Sequence, residues 1–196
     1  MKNVFSFIIL SIGLLVFTTS CQDEEKLRKE QQEKQQAHND SVFSYLENNW
    51  QFTVRTDNKE LEVILKNWDT WAFFEEEIKL KPVTSTNAYL KKAELLESRV
   101  QSIIYTKHPE LLDKLDVKSR TIVLLNAIRN LRMFLALDPV DVSKVDESIK
   151  EVNLNIKMLI SKMEEEIRKN DFPKQLGEAE FLQVVDTVRR ANSTNN

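Results

Sequence analysis

Gly13 and Gly177 are the only glycines in a chain of 196 residues. Tight β-hairpins and phosphate-cradling loops need backbone at positive φ, which glycine reaches without steric cost. A chain almost without glycine is poorly equipped for either, so the expected fold is all-α. Four prolines, Pro82, Pro109, Pro139 and Pro173, divide it further. Each interrupts a helix-like apolar period, because proline has no amide proton and clashes with the preceding turn. They read as corners between helices. No residue pattern repeats between the segments they bound, which favours a bundle over a solenoid.

Apolar spacing marks out the helices. Val42, Leu46 and Trp50 lie four apart and place a first helix over about 41–50. Asp57 with Glu60 forms a capping box for a second, whose apolar side is Leu61, Ile64, Leu65, Trp68, Trp71, Ala72 and Ile78. A third, over about 84–106, carries Tyr89, Ala93, Leu96, Val100 and Ile103. A fourth, over about 117–137, has Val123, Leu124, Ala127, Ile128, Leu131, Phe134 and Leu135 as its main face. The fifth starts near Ser143 and runs to 169, with a heptad-like stripe of Val145, Ile149, Val152, Ile156, Leu159 and Met163. A short last helix over about 178–190 would dock through Phe181, Val185 and Val188. The long helices amount to rods of about 30–40 Å, and short connections make neighbours antiparallel. The expectation is an antiparallel up-and-down helical bundle of four to five main helices plus a short C-terminal helix.

The N-terminus carries a different message. Lys2 gives a positive start, residues 4–17 form an apolar run, and Thr18, Thr19 and Ser20 put small residues before Cys21, the only cysteine. That is the layout of a secretory signal. The run falls short of the roughly twenty apolar residues that span a bilayer. Thr18-Thr19-Ser20-Cys21 resembles the lipobox of bacterial lipoproteins, with Thr18 where a leucine usually stands. The resemblance implies cleavage before Cys21 and lipid on that cysteine, which leaves no thiol for a disulfide or a nucleophile. Gln22, Asp23, Glu24 and Glu25 resemble the acidic signal that sends lipoproteins of the Bacteroidota to the outer face of the outer membrane. A plain solvated tether would have the same composition. Residues 22–39 have only Leu27 and Ala37 as apolar residues and are read as a flexible tether. The chain then divides into a signal (1–20), the lipidated cysteine and charged tether (21–40), the bundle (41–191) and a polar tail (192–196).

The formal charge of −3 offers no electrostatic footprint for nucleic acid, nor a basic cluster for anionic headgroups. The two histidines, His38 in the tether and His108 before Pro109, belong to no metal or haem motif, and His108 is read as a surface residue. No metal and no cofactor is assigned, and no nucleophile stands beside a base, so no catalytic set is proposed. Glu75 falls on the side of Trp68, Trp71 and Ile78, where it would pair with a buried cation, reach water or meet a ligand.

Two sets of apolar residues lie off the main faces. Val63, Phe73 and Phe74 belong to the second helix, and Ile122, Leu125 and Met133 lie with Arg129 and Arg132 on the fourth. Each set either packs on another helix or marks a surface for a protein partner. The expected function is a non-enzymatic cell-envelope lipoprotein, anchored to the membrane by lipid on Cys21 and acting through protein contacts as an accessory subunit or scaffold. The alternatives are an immunity or inhibitor protein that occludes a toxin or hydrolase, and a bundle that holds an apolar ligand between its helices.

Overall fold

The computed structural model describes residues 2–171, with side chains from residue 24 to 170. The expected last helix and polar tail therefore lie outside the described residues, as do the side chains of Cys21, Gln22 and Asp23. The described chain is all-α: α1 (Lys2–Asn49), α2 (Lys59–Lys66), α3 (Asp69–Lys79), α4 (Thr86–Tyr105), a 3-10 turn (Glu110–Leu112), α5 (Leu115–Leu135) and α6 (Val142–Asp171). Pro82, Pro109 and Pro139 all fall in the connections. Among the described residues, no helix is long and apolar enough to cross a membrane.

Side-chain caps set three of the starts. Asn58 Oδ1 accepts from the amides of Glu60 and Leu61 at 2.9 and 3.0 Å, so Asn58 rather than Asp57 begins α2. Ser85 Oγ accepts from Ala88 N at 3.2 Å and starts α4. Asp141 Oδ1 accepts from Ser143 N at 2.9 Å and Lys144 N at 3.3 Å, just ahead of the expected start at Ser143.

The single helix expected between 57 and 79 is broken. Asn67 closes α2, with its side-chain amide donating to the Val63 carbonyl at 2.9 Å, and Trp68 is extended (φ −100°, ψ 92°). Asparagine's side chain competes with the helix for backbone partners, and Asp69 then suits the positive start of the next helix. The break lets Trp68 and Trp71 stack with ring centroids 6.1 Å apart, and both are buried.

α4, α5 and α6 form an antiparallel trio with α5 in the middle. Asp116 pairs with Lys162 at 2.8 Å, and Arg120 Nη1 meets Met158 Sδ at 4.0 Å, so the two helices run in opposite directions at one register. Every residue of the α6 stripe from Val145 to Met163 is buried, as is the α4 set Tyr89, Ala93, Leu96, Val100 and Ile103. Burying one such large aliphatic side chain contributes about 1.5–3 kcal/mol.

A segmented fourth layer closes the trio between α4 and α6. The end of α1 buries Val42 and Leu46, and Trp50 packs edge-on against Tyr89 at 5.1 Å. Residues 50–58 then run as an irregular strap along α6. Asn153 fixes the strap by donating to the Gln51 carbonyl (2.9 Å) and accepting from Thr53 N (3.0 Å). Thr56 donates to Glu164 at 2.5 Å. At the far end α2 meets α6, and α3 returns along α4.

The flexible tether expected over 22–39 is instead part of α1. Residues 24–37 are exposed on all sides, and the helix reaches the bundle where Gln35 faces Asp138 and His38 Nε2 lies 3.0 Å from the Val140 carbonyl. An ion pair between Glu25 and Lys29, one turn apart, supports this polar helix.

Candidate interaction surfaces

The two off-face apolar sets each divide between core and surface. On α3, Phe74 is fully buried against Trp71 (ring centroids 5.5 Å), whereas Phe73 is 54% exposed. Phe74 is therefore core rather than partner surface, because the break at Asn67 gives α3 its own packing face of Trp71, Phe74 and Ile78. Phe73 lies under the Arg99 guanidinium, 5.6 Å from the ring centroid, and Val63 on α2 is 60% exposed.

On α5, Leu125 is 6% exposed and packs inside, while Val123, expected on the buried face, is exposed. α5 touches both α4 and α6, so its buried arc is wide and centred away from the position the sequence suggested. Of the two alternatives the sequence left for this set, Ile122, Arg129 and Met133 take the surface one. Their spacings of seven and four residues align them along one side of the helix. Glu97 of α4 sits at the edge of this side and accepts from Arg129 Nε at 2.9 Å. Its other oxygen is 2.8 Å from Arg132 Nε, close enough for an ion pair although the N–H is not aimed at it. One carboxylate thus holds two guanidinium groups beside an exposed isoleucine and methionine.

Glu75 pairs with Lys79 one turn along, at 2.5 Å, on the rim of α3. The enclosed carboxylate is Glu77, which receives Lys92 of α4, with Arg99 3.8 Å away. Sequence reasoning passed over it because Glu77 sits on the opposite shoulder of the Trp71, Phe74 and Ile78 stripe. Its neighbour on that shoulder is visible only once α4 is in place.

His108 is not on the surface: it is 3% exposed, with its ring centroid 4.9 Å from that of Trp68. Nδ1 lies 3.1 Å from the Thr106 carbonyl and must donate to it, which leaves Nε2 as a bare acceptor with no partner. Burial pushes its pKa below the usual histidine value, against the pull of the Thr106 carbonyl. Near the start of α6, Tyr45 donates to Asp146 at 2.5 Å, and burial together with that carboxylate pushes the phenol up to about 12. Lys162 gathers Asp116, Glu165 and Glu166 at 2.8–3.1 Å, and these hydrogen bonds raise its pKa.

A groove of about 630 Å³ opens to solvent between the strap and α6, lined among others by Arg55, Asp57, Lys157 and Glu164. It carries both signs of charge and lies on the surface rather than between the helices. Outside every expected set, Leu154 and Met158 are exposed on α6 one turn apart. Their position off the Val145–Met163 stripe is the sequence signal that would have found them. Among the described residues, no group of three or more His, Cys, Asp and Glu side chains is placed to hold a metal ion. No protein-family model, curated protein or solved structure matches this chain.

Proposed function

We propose that this protein is a lipid-anchored component of a bacterial cell envelope, held at the outer membrane through Cys21 and facing the surface, that binds a protein partner without catalysis. The observation that carries the binding reading is the side of α5 on which Ile122, Arg129 and Met133 align. Apolar residues beside a positioned arginine make the kind of patch in which a partner gains most of its affinity from a few anchors. Glu97 holds the guanidinium in place, so less side-chain freedom is lost on binding.

The exposed polar part of α1 supports the anchoring reading. Residues 24–39 extend about 24 Å at the rise of an α-helix. With lipid on Cys21 this segment is a stalk that holds the bundle clear of the headgroups and leaves the α5 side free. The signal-like start, the lipobox-like cysteine and the acidic residues after it supply the address.

The experiment has two arms. Metabolic labelling with a fatty-acid analogue marks the wild-type protein and not Cys21→Ser; equal label in both defeats the anchor. Crosslinking in intact cells then compares wild type with Ile122→Asp plus Met133→Asp, chosen because both side chains already face water. Loss of a discrete crosslinked species in a folded variant supports the partner surface, and an unchanged pattern removes it.

A further inference from the structure

We infer that the groove between the strap and α6 binds one extended peptide segment of a partner protein, added as a strand along an edge of the strap. The site shares no residue with the side of α5 on which Ile122, Arg129 and Met133 align.

Residues 51–56 form no helix, turn or bend, and their exposure alternates. Gln51, Thr53 and Arg55 are exposed, whereas Phe52, Val54 and Thr56 are partly buried. That period of two marks an extended, strand-like chain. In such a chain every second residue turns its N–H and C=O to the same edge.

Asn153 occupies the start of one edge. Its side-chain amide donates to the Gln51 carbonyl and accepts from Thr53 N, the two bonds that one residue of an adjoining parallel strand would make. The Thr53 carbonyl and both backbone groups of Arg55 continue that edge, with no hydrogen bond among the described residues. The groove of about 630 Å³ lies along it, walled on the far side by Leu154, Lys157 and Ser161 of α6. A row of unpaired backbone groups is a template for strand addition. The strap is already held in place, by Asn153 at one end and by the Thr56–Glu164 bond at the other. Binding therefore has only the incoming segment to order.

Geometry and charge choose the occupant. The edge looks across the groove toward α6, so the strap of a second copy, itself backed by a helix, is blocked from it. A single extended chain is not, because adjoining strands lie only about 4.8 Å apart. The groove sets Arg55 and Lys157 against Asp57 and Glu164, two charges of each sign. A strongly charged segment would meet as much repulsion as attraction there. Leu154 is exposed on the far wall and takes an apolar side chain. The segment that fits is near neutral, partly apolar and free of proline where it pairs.

Seven-residue peptides test the site, selected from a random library on the full-length protein carrying Ile122→Asp plus Met133→Asp. Those two changes remove the α5 surface, so a failure of that surface leaves this result standing. Arg55→Pro deletes the free N–H in the middle of the edge, whereas Arg55→Ala deletes only the side chain. The selected peptides bind Arg55→Ala within about twofold of its parent and Arg55→Pro about tenfold more weakly. They also slow hydrogen exchange at the Arg55 amide by about tenfold or more, a readout that needs no change at residue 55 and stands even where Arg55→Pro lowers the melting temperature. A library that yields no peptide, equal binding to the two Arg55 variants, or unchanged exchange at Arg55 overturns the proposal. So does concentration-dependent dimerisation that Arg55→Pro abolishes, which would make a second copy the occupant.

Discussion

Lys92 of α4 ends in an ion pair with Glu77 of α3, and both side chains are largely sealed from water. A charge in that position is stable only while its partner is present, because desolvation is costly and the pair's attraction offsets it. Glu77→Ala leaves Lys92 without its partner and is expected to cost about 3 kcal/mol. Glu75→Ala, two residues away on the rim, removes an exposed one-turn pair and is expected to cost about 0.5 kcal/mol or less. Replacing Glu77 and Lys92 together by methionine returns stability close to wild type, since Lys92 is then no longer stranded and Arg99, which also loses Glu77, still reaches water. Urea unfolding of the four proteins checks the ranking. A double variant as weak as Glu77→Ala would show that packing, not charge, sets the loss.

Asn153 replaces a missing strand partner for the strap. Its side-chain amide bonds the Gln51 carbonyl and the Thr53 amide, and residues 50–58 have no helix of their own to satisfy them. Asn153→Ala removes both bonds and is expected to cost about 1–2 kcal/mol globally. The local effect is larger in relative terms, because the strap then opens without the bundle unfolding. Trypsin cleavage after Arg55 should rise several-fold, roughly the change that 1 kcal/mol makes in an opening equilibrium. A cleavage rate unchanged from wild type would mean that Thr56 and Glu164 alone hold the strap.

Helices whose buried side is one narrow stripe were legible in the sequence, and those with a wider buried arc or a break were not. α6 faces the rest of the bundle with a single stripe, and Val145 through Met163 are buried as spacing required. α5 lies between α4 and α6, and a spacing rule that assumes one narrow face assigned Val123 inward and Leu125 outward, the reverse of their positions. The break at Asn67 was hidden because Leu65, Trp68 and Trp71 keep a helical spacing through it. Phe74 was misplaced as a result. The exposed Ile122, Arg129 and Met133 were found from the sequence, but Glu97 was not: its partners are 32 and 35 residues away on another helix. The burial of His108 had no local signal, since it depends on Trp68 folding over it from α3's start.

Ile156 and Arg129 make a matched contrast between core and surface. Ile156 is fully buried at mid-stripe on α6. Ile156→Asp removes that packing and places an unpaired carboxylate inside, for a loss above about 3 kcal/mol, a large share of a stability near 5–15 kcal/mol. Arg129 is partly exposed, and Arg132 stays within ion-pair distance of Glu97 when Arg129 is truncated. Arg129→Ala should therefore change stability by about 1 kcal/mol or less. Thermal unfolding by circular dichroism separates the two variants. A strongly destabilised Arg129→Ala would make the arginine part of the α4–α5 joint, and the partner surface on that side of α5 would lose its charged anchor.

His108 gives the fold a pH dependence whose direction follows from its burial. In the unfolded chain the imidazole titrates near 6.5, and in the folded protein burial holds its pKa lower. Above about pH 6.5 it is neutral in both states and costs nothing. As pH falls below that, the unfolded chain takes up the proton first, so stability declines until the pH passes the folded value. Below it both states are charged and the loss levels off. Lys118 opposes protonation and Asp113 favours it, each less strongly than burial. The slope from one proton approaches about 1.4 kcal/mol per pH unit between the two values. His108→Leu removes the titration at the cost of the bond to the Thr106 carbonyl, so its stability at pH 7 is lower but its dependence between pH 7 and 5 is flatter. Urea unfolding of both proteins across that range measures the difference directly. Parallel curves would show that protonated His108 is accommodated beside Trp68 after all, with Nε2 finding an acceptor that the neutral ring does not use.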